Sequence, residues 1–464
     1  MLSAMFALII AVATSALFRL ALLLGGLALL VRLKVRIGRV LLAAPFMAAT
    51  LFWNGELPAN LWQETTKDGG AFYFETAALI GLMALIDIFG RILKKTESLP
   101  RLMRALQALF ADQRIALGGM PAVIGLLPMP GGAMVSAPVV KEMADASATP
   151  VSAEDRTLVN YWFRHLWEYI FPVYPAVVAA ATIWQVDLAD LVTRQAVLTL
   201  AAVAAGLSLV LTRVKPMTKT APAGPEADTS GAGHDHSPDA ATDGGKIAHV
   251  GAIAKGLAPI AAVLAIWYVL RMLGPAPSGC GIIDWKPWGK ITVLVALVPV
   301  TAALVLIGRV PGRWLLERLR RCMPLDMFLL LVGVMAFQKV MAASGAVDGV
   351  SAELEGVPLF VVIFGLPFIA GLLTGLAVAF VTMTFPLLVI SGVVIADGGV
   401  DAAATVLAYA GGYAGILLSP VHICLVLSRE YFGASLGSVY RRLALPVGVV
   451  VTVAFVVYFM NTRL

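Results

Sequence analysis

Arg164, His165 and Glu168 stand one to two turns before Pro172, in a stretch of chain that is otherwise apolar, and His422 stands two residues after Pro420. Ionisable groups inside a membrane span are costly, so they face a cavity or pair with one another. Two chemistries are open to the first cluster. Arg164 or His165 meets an anionic substrate, or Arg164 pairs with Glu168, four residues on and on the same helix face. His422 is a proton carrier or substrate contact, or else a structural histidine. The prolines add backbone chemistry. Pro172 cannot donate to the carbonyl of Glu168, Pro175 to that of Phe171, or Pro420 to that of Ile416, so each break frees carbonyls and starts a new helix. Carbonyls suit a small cation such as Na⁺, and the amides of a helix N-terminus suit a carboxylate or another anion.

A second pair of breaks has no charge but the same backbone logic. Leu126-Leu-Pro-Met-Pro-Gly-Gly-Ala-Met-Val-Ser-Ala-Pro138 carries Pro128 and Pro130, which lack amide protons, and Gly131 and Gly132, which relax the backbone, so it must turn. Thr374-Gly375 interrupts a later apolar run. Freed backbone at membrane depth survives where it is buried in protein or lines a cavity, which makes both turns binding-site candidates. Ser136, Thr382, Thr384 and Ser419 offer hydroxyls there, either to a ligand or to their own helix backbone.

These residues must be positioned by membrane helices. The chain is 60% hydrophobic and 13% charged with a positive mean hydropathy, and several apolar runs reach the roughly 20 residues that a span needs. A soluble globular protein is excluded. The net charge of +6 sits in short loops, where membrane topology rather than nucleic acid accounts for it. Cys280, Cys322 and Cys424 are far apart in sequence and indicate neither a disulfide framework nor a metal cluster. His234-Asp-His236 lies in a flexible tract and is set aside as a metal site.

In chain order, an uncleaved first span over about 3–30 ends in a basic cluster at Arg32 to Arg39, which places that side in the cytoplasm and the N-terminus outside. Spans over about 40–53 and 71–93 follow, separated by an outside loop over 54–70. An amphipathic helix around Leu99 to Phe110 lies in the cytoplasmic interface. A re-entrant hairpin over 115–143, a broken helix over 158–183 and a span over 188–212 complete residues 1–213. Residues 214–249 read as a disordered cytoplasmic linker. Residues 250–464 hold spans over 250–273, 291–307 and 326–342, a hairpin over 358–394, a broken helix over 402–427 and a last span over 443–459. A basic loop over Arg309 to Arg321 and an outside loop over 343–356 connect them, and the C-terminus is outside.

Pro138 and Pro386 are 248 positions apart, as are Pro172 and Pro420, Phe89 and Phe337, and Ser136 and Thr384, while Gly125-Leu-Leu matches Gly371-Leu-Leu with a two-residue slip. Five crossings per half make this an inverted-topology repeat. The expected fold class is an all-α polytopic membrane protein with about ten transmembrane helices plus two re-entrant hairpins.

Leu127-Pro-Met-Pro-Gly-Gly-Ala-Met-Val-Ser-Ala-Pro138, together with Gly415-Ile-Leu-Leu-Ser-Pro-Val-His-Ile-Cys-Leu-Val-Leu427 and Glu430-Tyr-Phe432, resembles an uncharacterised integral-membrane family, domain of unknown function number four hundred and one. That family is grouped with the ion transporter superfamily, which also holds gluconate, citrate and dicarboxylate permeases. The resemblance implies an elevator-type transporter that forms a homodimer, with scaffold spans at the dimer interface and the hairpins and broken helices moving as a unit. The superfamily's sodium-coupled dicarboxylate carriers use Ser-Asn-Thr signatures at their hairpin tips, whereas this chain has Pro-Met-Pro-Gly-Gly and Thr-Gly-Leu-Ala there.

The expected function is secondary active transport of a small, anionic organic solute across the cytoplasmic membrane, coupled to H⁺ or Na⁺. The expected partners are that solute, membrane lipid and a second copy of the chain, with no nucleic acid, no cofactor and no resident metal. The alternatives are a membrane-embedded enzyme acting on a lipid-linked or peptide substrate, or a channel. The chain has no His-Glu-x-x-His, Gly-x-Gly-Asp or nucleophile elbow, and no Walker motif for hydrolysing ATP, so no enzymatic activity is expected.

Overall fold

The computed structural model describes residues 15–33, 35–66, 71–95, 113–126, 132–145, 150–214, 243–273, 288–319, 325–353, 356–390, 395–396 and 399–461. The expected amphipathic helix around Leu99 to Phe110, the tip residues Pro128, Pro130 and Gly131, and His234-Asp-His236 lie outside the described residues, as does most of the expected linker.

The described chain is helical apart from two two-residue strands, β1 (Ile395–Ala396) and β2 (Gly399–Val400), which pair antiparallel. The first half runs α1 (Ala16–Arg32), α2 (Ile37–Leu51), α3 (Leu57–Thr66), α4 (Ala71–Lys95), α5 (Gln113–Gly125), α6 (Ala133–Asp145), α7 (Ala153–Arg164), a 3₁₀ turn (Leu166–Tyr169), α8 (Pro175–Trp184) and α9 (Leu188–Arg213). The second half runs α10 (Asp243–Leu273), α11 (Trp288–Ile307), α12 (Gly312–Leu319), α13 (Leu325–Ala343), α14 (Ala346–Glu353), α15 (Leu359–Thr374), α16 (Ala377–Ile390), α17 (Ala402–Leu417), α18 (Ile423–Phe432) and α19 (Leu436–Asn461).

Three of these helices contain stretches long and apolar enough to cross a membrane, namely Leu188–Arg213, Ile253–Leu270 and Leu436–Asn461. Many others are apolar but shorter, including α5, α8, α15, α16 and α17. Proline and glycine explain much of the shortness, because they stop α7 and α17 before Pro172 and Pro420 and end α15 at Gly375. Large apolar side chains such as Phe46 on α2, Leu306 and Ile307 on α11 and Leu445 on α19 are exposed, as lipid contact requires. This is a membrane protein.

Several boundaries differ from the sequence reading. The loops read at 54–70, 309–321 and 343–356 contain the short helices α3, α12 and α14. The first broken helix starts at Ala153, five residues before expected, because Ser152 caps it by accepting from the Asp155 amide. The last span starts at Leu436 instead of 443, and α10 starts at Asp243, inside the tract read as linker. A helix once formed extends cheaply beyond its apolar part, which hydropathy alone does not register.

Two pairs of helices keep the repeat register in the structure. α18 begins and ends 248 positions after α8, and α19 begins and ends 248 positions after α9. Packing follows the same pattern. Within each half the first hairpin arm packs on the helix before the break, α5 on α7 and α15 on α17. The second arm packs on the helix after the break of the other half, α6 on α18 and α16 on α8. The helices α9 and α19 pack on one another.

Close backbone contact sets both same-half crossings. A Cβ at Gly125 would overlap the carbonyl of Arg164, and a Cβ at Gly371 would overlap that of Gly412. The receiving residues are again 248 positions apart, and the two glycines show the two-residue slip. Small residues let helix backbones approach where lipid supplies no hydrophobic drive to bring them together.

Candidate functional site

Around the first break, the carbonyls released from the helix ladder find specific partners. Tyr409 Oη donates to Glu168 O at 2.9 Å, Tyr413 Oη to His165 O at 3.2 Å and Thr199 Oγ1 to Leu166 O at 3.2 Å. His165 donates from Nδ1 to Tyr161 O at 2.5 Å. At the second break Tyr161 Oη donates to Leu417 O at 3.2 Å and reaches Ile416 O at 3.5 Å, where the Ser419 amide also donates at 2.9 Å. Glu168 and Ile416 are the residues whose carbonyls Pro172 and Pro420 release, and Tyr409 and Tyr161 come from opposite halves. Each half therefore caps the break in the other. The Phe171 carbonyl accepts from the Tyr174 amide at 2.9 Å. The carbonyls that sequence reading offered to Na⁺ are thus already hydrogen-bonded, because buried backbone oxygens are satisfied within the protein when side chains can reach them.

The hairpins dock on the breaks through a second set of bonds. Tyr174 Oη donates to Gly125 O, and Trp167 Nε1 to Ala122 O at 2.8 Å, fixing α5 to the first break. In the second half Ser419 Oγ donates to Leu372 O at 2.7 Å and His422 Nδ1 to Gly375 O at 2.6 Å. Gly375 adopts φ +63°, and a side chain there would press on the backbone of His422.

Four side chains of the first cluster and its counterpart converge. Arg164 and His165 are each 2% exposed and His422 8%. Arg164 Nη1 lies 3.7 Å from Glu168 Oε1, so the pair read from sequence is formed, although Glu168 now sits in the 3₁₀ turn. The Arg164 guanidinium fills the space a Cβ would occupy at Gly132, against the first hairpin tip, and contacts the Tyr174 hydroxyl. His165 Nε2 lies 3.8 Å from Glu168 Oε1 and 3.1 Å from His422 Nε2, with the two rings edge to face.

The remaining candidates divide by what their hydroxyls do. Ser136, Thr374, Thr382 and Thr384 are buried and bond carbonyls of their own helices, to Ala133, Ala370, Val378 and Phe380. Ser419 alone among them reaches another element. Pro172 is buried and Pro420 exposed. Neither α8 nor α18 has a side-chain cap at its N-terminus, where Tyr174 and His422 occupy the capping positions.

Sequence reasoning did not single out Tyr161, Tyr174, Tyr409, Tyr413, Asn160 or Cys424 as site residues. The repeat register held the signal for several of them. Tyr161 and Tyr409 are 248 positions apart, and so are Tyr174 and His422, and His165 and Tyr413. Asn160 donates to Ala133 O at 3.1 Å and Ser428 Oγ at 2.8 Å, tying the first hairpin to α18. Cys424, one residue into α18, lies buried beside both histidines.

Interrupted helices and docked hairpins around a buried polar centre define an integral-membrane protein with charged side chains in its interior. The chain belongs to the family described as protein of unknown function (DUF401), which matches residues 72–221 and 289–460 and so includes both hairpins and both breaks. No curated protein matches the chain.

Proposed function

We propose that the chain is a secondary active transporter of a small anionic organic solute across the cytoplasmic membrane, coupled to H⁺ or Na⁺. The observation that carries this reading is the meeting of two interrupted helices from opposite halves around Arg164. A buried guanidinium lies at a hairpin tip, beside two helix N-termini that carry no side-chain cap. Positive helix ends and a buried cation form an environment for a carboxylate or similar anion.

The 248-position agreement of α8 with α18 and α9 with α19 supports an inverted-topology repeat, as does the exchange of hairpin arms between halves. Its ten spans and two re-entrant hairpins would be those of the elevator-type ion transporter superfamily, similar to gluconate, citrate and dicarboxylate permeases. In that arrangement both termini lie outside, the linker 214–249 lies in the cytoplasm and the chain forms a homodimer.

The melting midpoint of the purified protein, measured against small carboxylates, sulfonates and oxyanions with Na⁺ or choline at two pH values, tests the reading. A ligand at a hundred times its dissociation constant stabilises by about 2.7 kcal/mol. One anion is expected to raise the midpoint in wild type, with the rise lost in Arg164→Gln and reduced in Gly132→Ala, which displaces the guanidinium. No shift with any anion would remove the support for an anionic solute. Uptake of the stabilising anion into proteoliposomes that saturates and follows an imposed Na⁺ or H⁺ gradient separates a transporter from a channel.

A further inference from the structure

His165 and His422 present nitrogens to one another in an arrangement that neutral imidazoles do not satisfy. A carbonyl oxygen only accepts hydrogen bonds, so His165 Nδ1, 2.5 Å from Tyr161 O, carries a proton, and so does His422 Nδ1, 2.6 Å from Gly375 O. In the neutral form of each ring Nε2 is then a lone-pair acceptor. The two Nε2 atoms are 3.1 Å apart. Two lone pairs at that distance call for a cation between or beside them.

A third donor converges on the same point. One ring nitrogen of His165, one of His422 and Cys424 Sγ all lie within 4.8 Å of one another, and all three residues are buried. Two nitrogens bound to one tetrahedral Zn²⁺ at about 2.0–2.1 Å stand roughly 3.3 Å apart, close to the separation seen. Both histidines also donate their other ring nitrogen to a backbone carbonyl, the support that orients imidazole ligands toward a metal. The Cys424 thiol, which hydrogen-bonds His165, adds a third, soft donor that a proton shared by the two nitrogens does not use.

We propose that His165 Nε2, His422 Nε2 and Cys424 Sγ form a binding site for a soft or borderline transition-metal cation, Zn²⁺ or Cu⁺. Nitrogen and thiolate donors select these ions over Mg²⁺, Ca²⁺ and Na⁺. Binding displaces the thiol proton, so the sulfur binds as thiolate and one proton leaves. The Glu168 carboxylate, 3.8 Å from His165 Nε2, is the nearby anion that balances part of the added charge or completes four-coordination for Zn²⁺. Because His165 follows α7 and the other two ligands flank the start of α18, the ion ties the first break directly to the second. The proposal stands whichever solute the protein carries.

The test uses the full chain in detergent, stripped with chelator and titrated in separate arms with Zn²⁺ and with Cu⁺ against a competing chelator. One equivalent per chain is expected in at least one arm, weakened by at least about tenfold in Cys424→Ser and in His422→Asn. Co²⁺ serves as a spectroscopic probe and is expected to give a near-ultraviolet thiolate charge-transfer band. That band should persist in Cys280→Ser/Cys322→Ser, in which Cys424 is the one remaining cysteine, and this assigns the sulfur. This arm holds even where a ligand variant fails to fold. Absence of saturable binding of both ions would overturn the proposal, as would undiminished affinity in folded Cys424→Ser or loss of the Co²⁺ band in Cys280→Ser/Cys322→Ser.

Discussion

Tyr161 and Tyr409 each place one hydroxyl on a carbonyl that a proline has released in the opposite half. Phenylalanine keeps the ring and its packing but leaves a buried oxygen short of a donor, that of Glu168 for Tyr409 and that of Leu417 for Tyr161, since Ile416 O keeps the Ser419 amide; this costs about 1–3 kcal/mol. Tyr409→Phe is therefore expected to lower the melting midpoint by an amount in that range. Tyr440 is the internal control, because its buried hydroxyl has no hydrogen-bond partner among the described residues. Tyr440→Phe should leave the midpoint unchanged or raise it. An equal loss in both variants would mean that the tyrosine caps contribute nothing specific. The breaks themselves were legible in the sequence because proline's missing donor is a property of the residue. The caps were not, because they join residues some 250 positions apart, and only the repeat register pointed toward them.

At the scale of elements, the crossing of α15 with α17 depends on a missing side chain. A Cβ at Gly371 would meet the carbonyl of Gly412, whereas a Cβ at Gly365, on the same helix, would meet nothing within 4 Å. Gly371→Ala should therefore force the helices apart at a cost of about 1–3 kcal/mol. Gly365→Ala should be neutral or stabilising, since alanine favours helix. A similar loss of thermal stability in both would show that helix propensity and not the crossing matters.

The N-terminus of α1 gives a pH-dependent counterpart. Glu353 accepts from the Ser15 hydroxyl and from the Leu17 and Ala16 amides, which hold its carboxyl below the usual carboxylate range. Its contribution is present above the ordinary carboxylate value and is lost as pH falls through the lowered one. A stability difference between wild type and Glu353→Gln should accordingly exist at neutral pH and vanish in acid. The ends of α5, α6, α15 and α16 lie within a few residues of the turns read from sequence, because turn residues mark helix ends. The helices inside connecting loops were not legible there, because α3, α12 and α14 take their stability from neighbours that hydropathy does not record.

For the whole molecule, the exchange of arms between halves means that neither half contains the full set of contacts its own break requires. Residues 1–213 and 250–464 produced together as separate chains should reconstitute a particle that melts cooperatively, while each alone should be degraded or aggregate. Stable, monodisperse halves produced singly would show that the exchange is dispensable. The reciprocal tyrosine caps also set an order of events during synthesis. The Glu168 oxygen enters the membrane well before Tyr409 is made, 241 positions later. Throughout that interval the nascent chain lacks the donor that covers this oxygen in the folded protein, so the first break is completed only once the second half has been made.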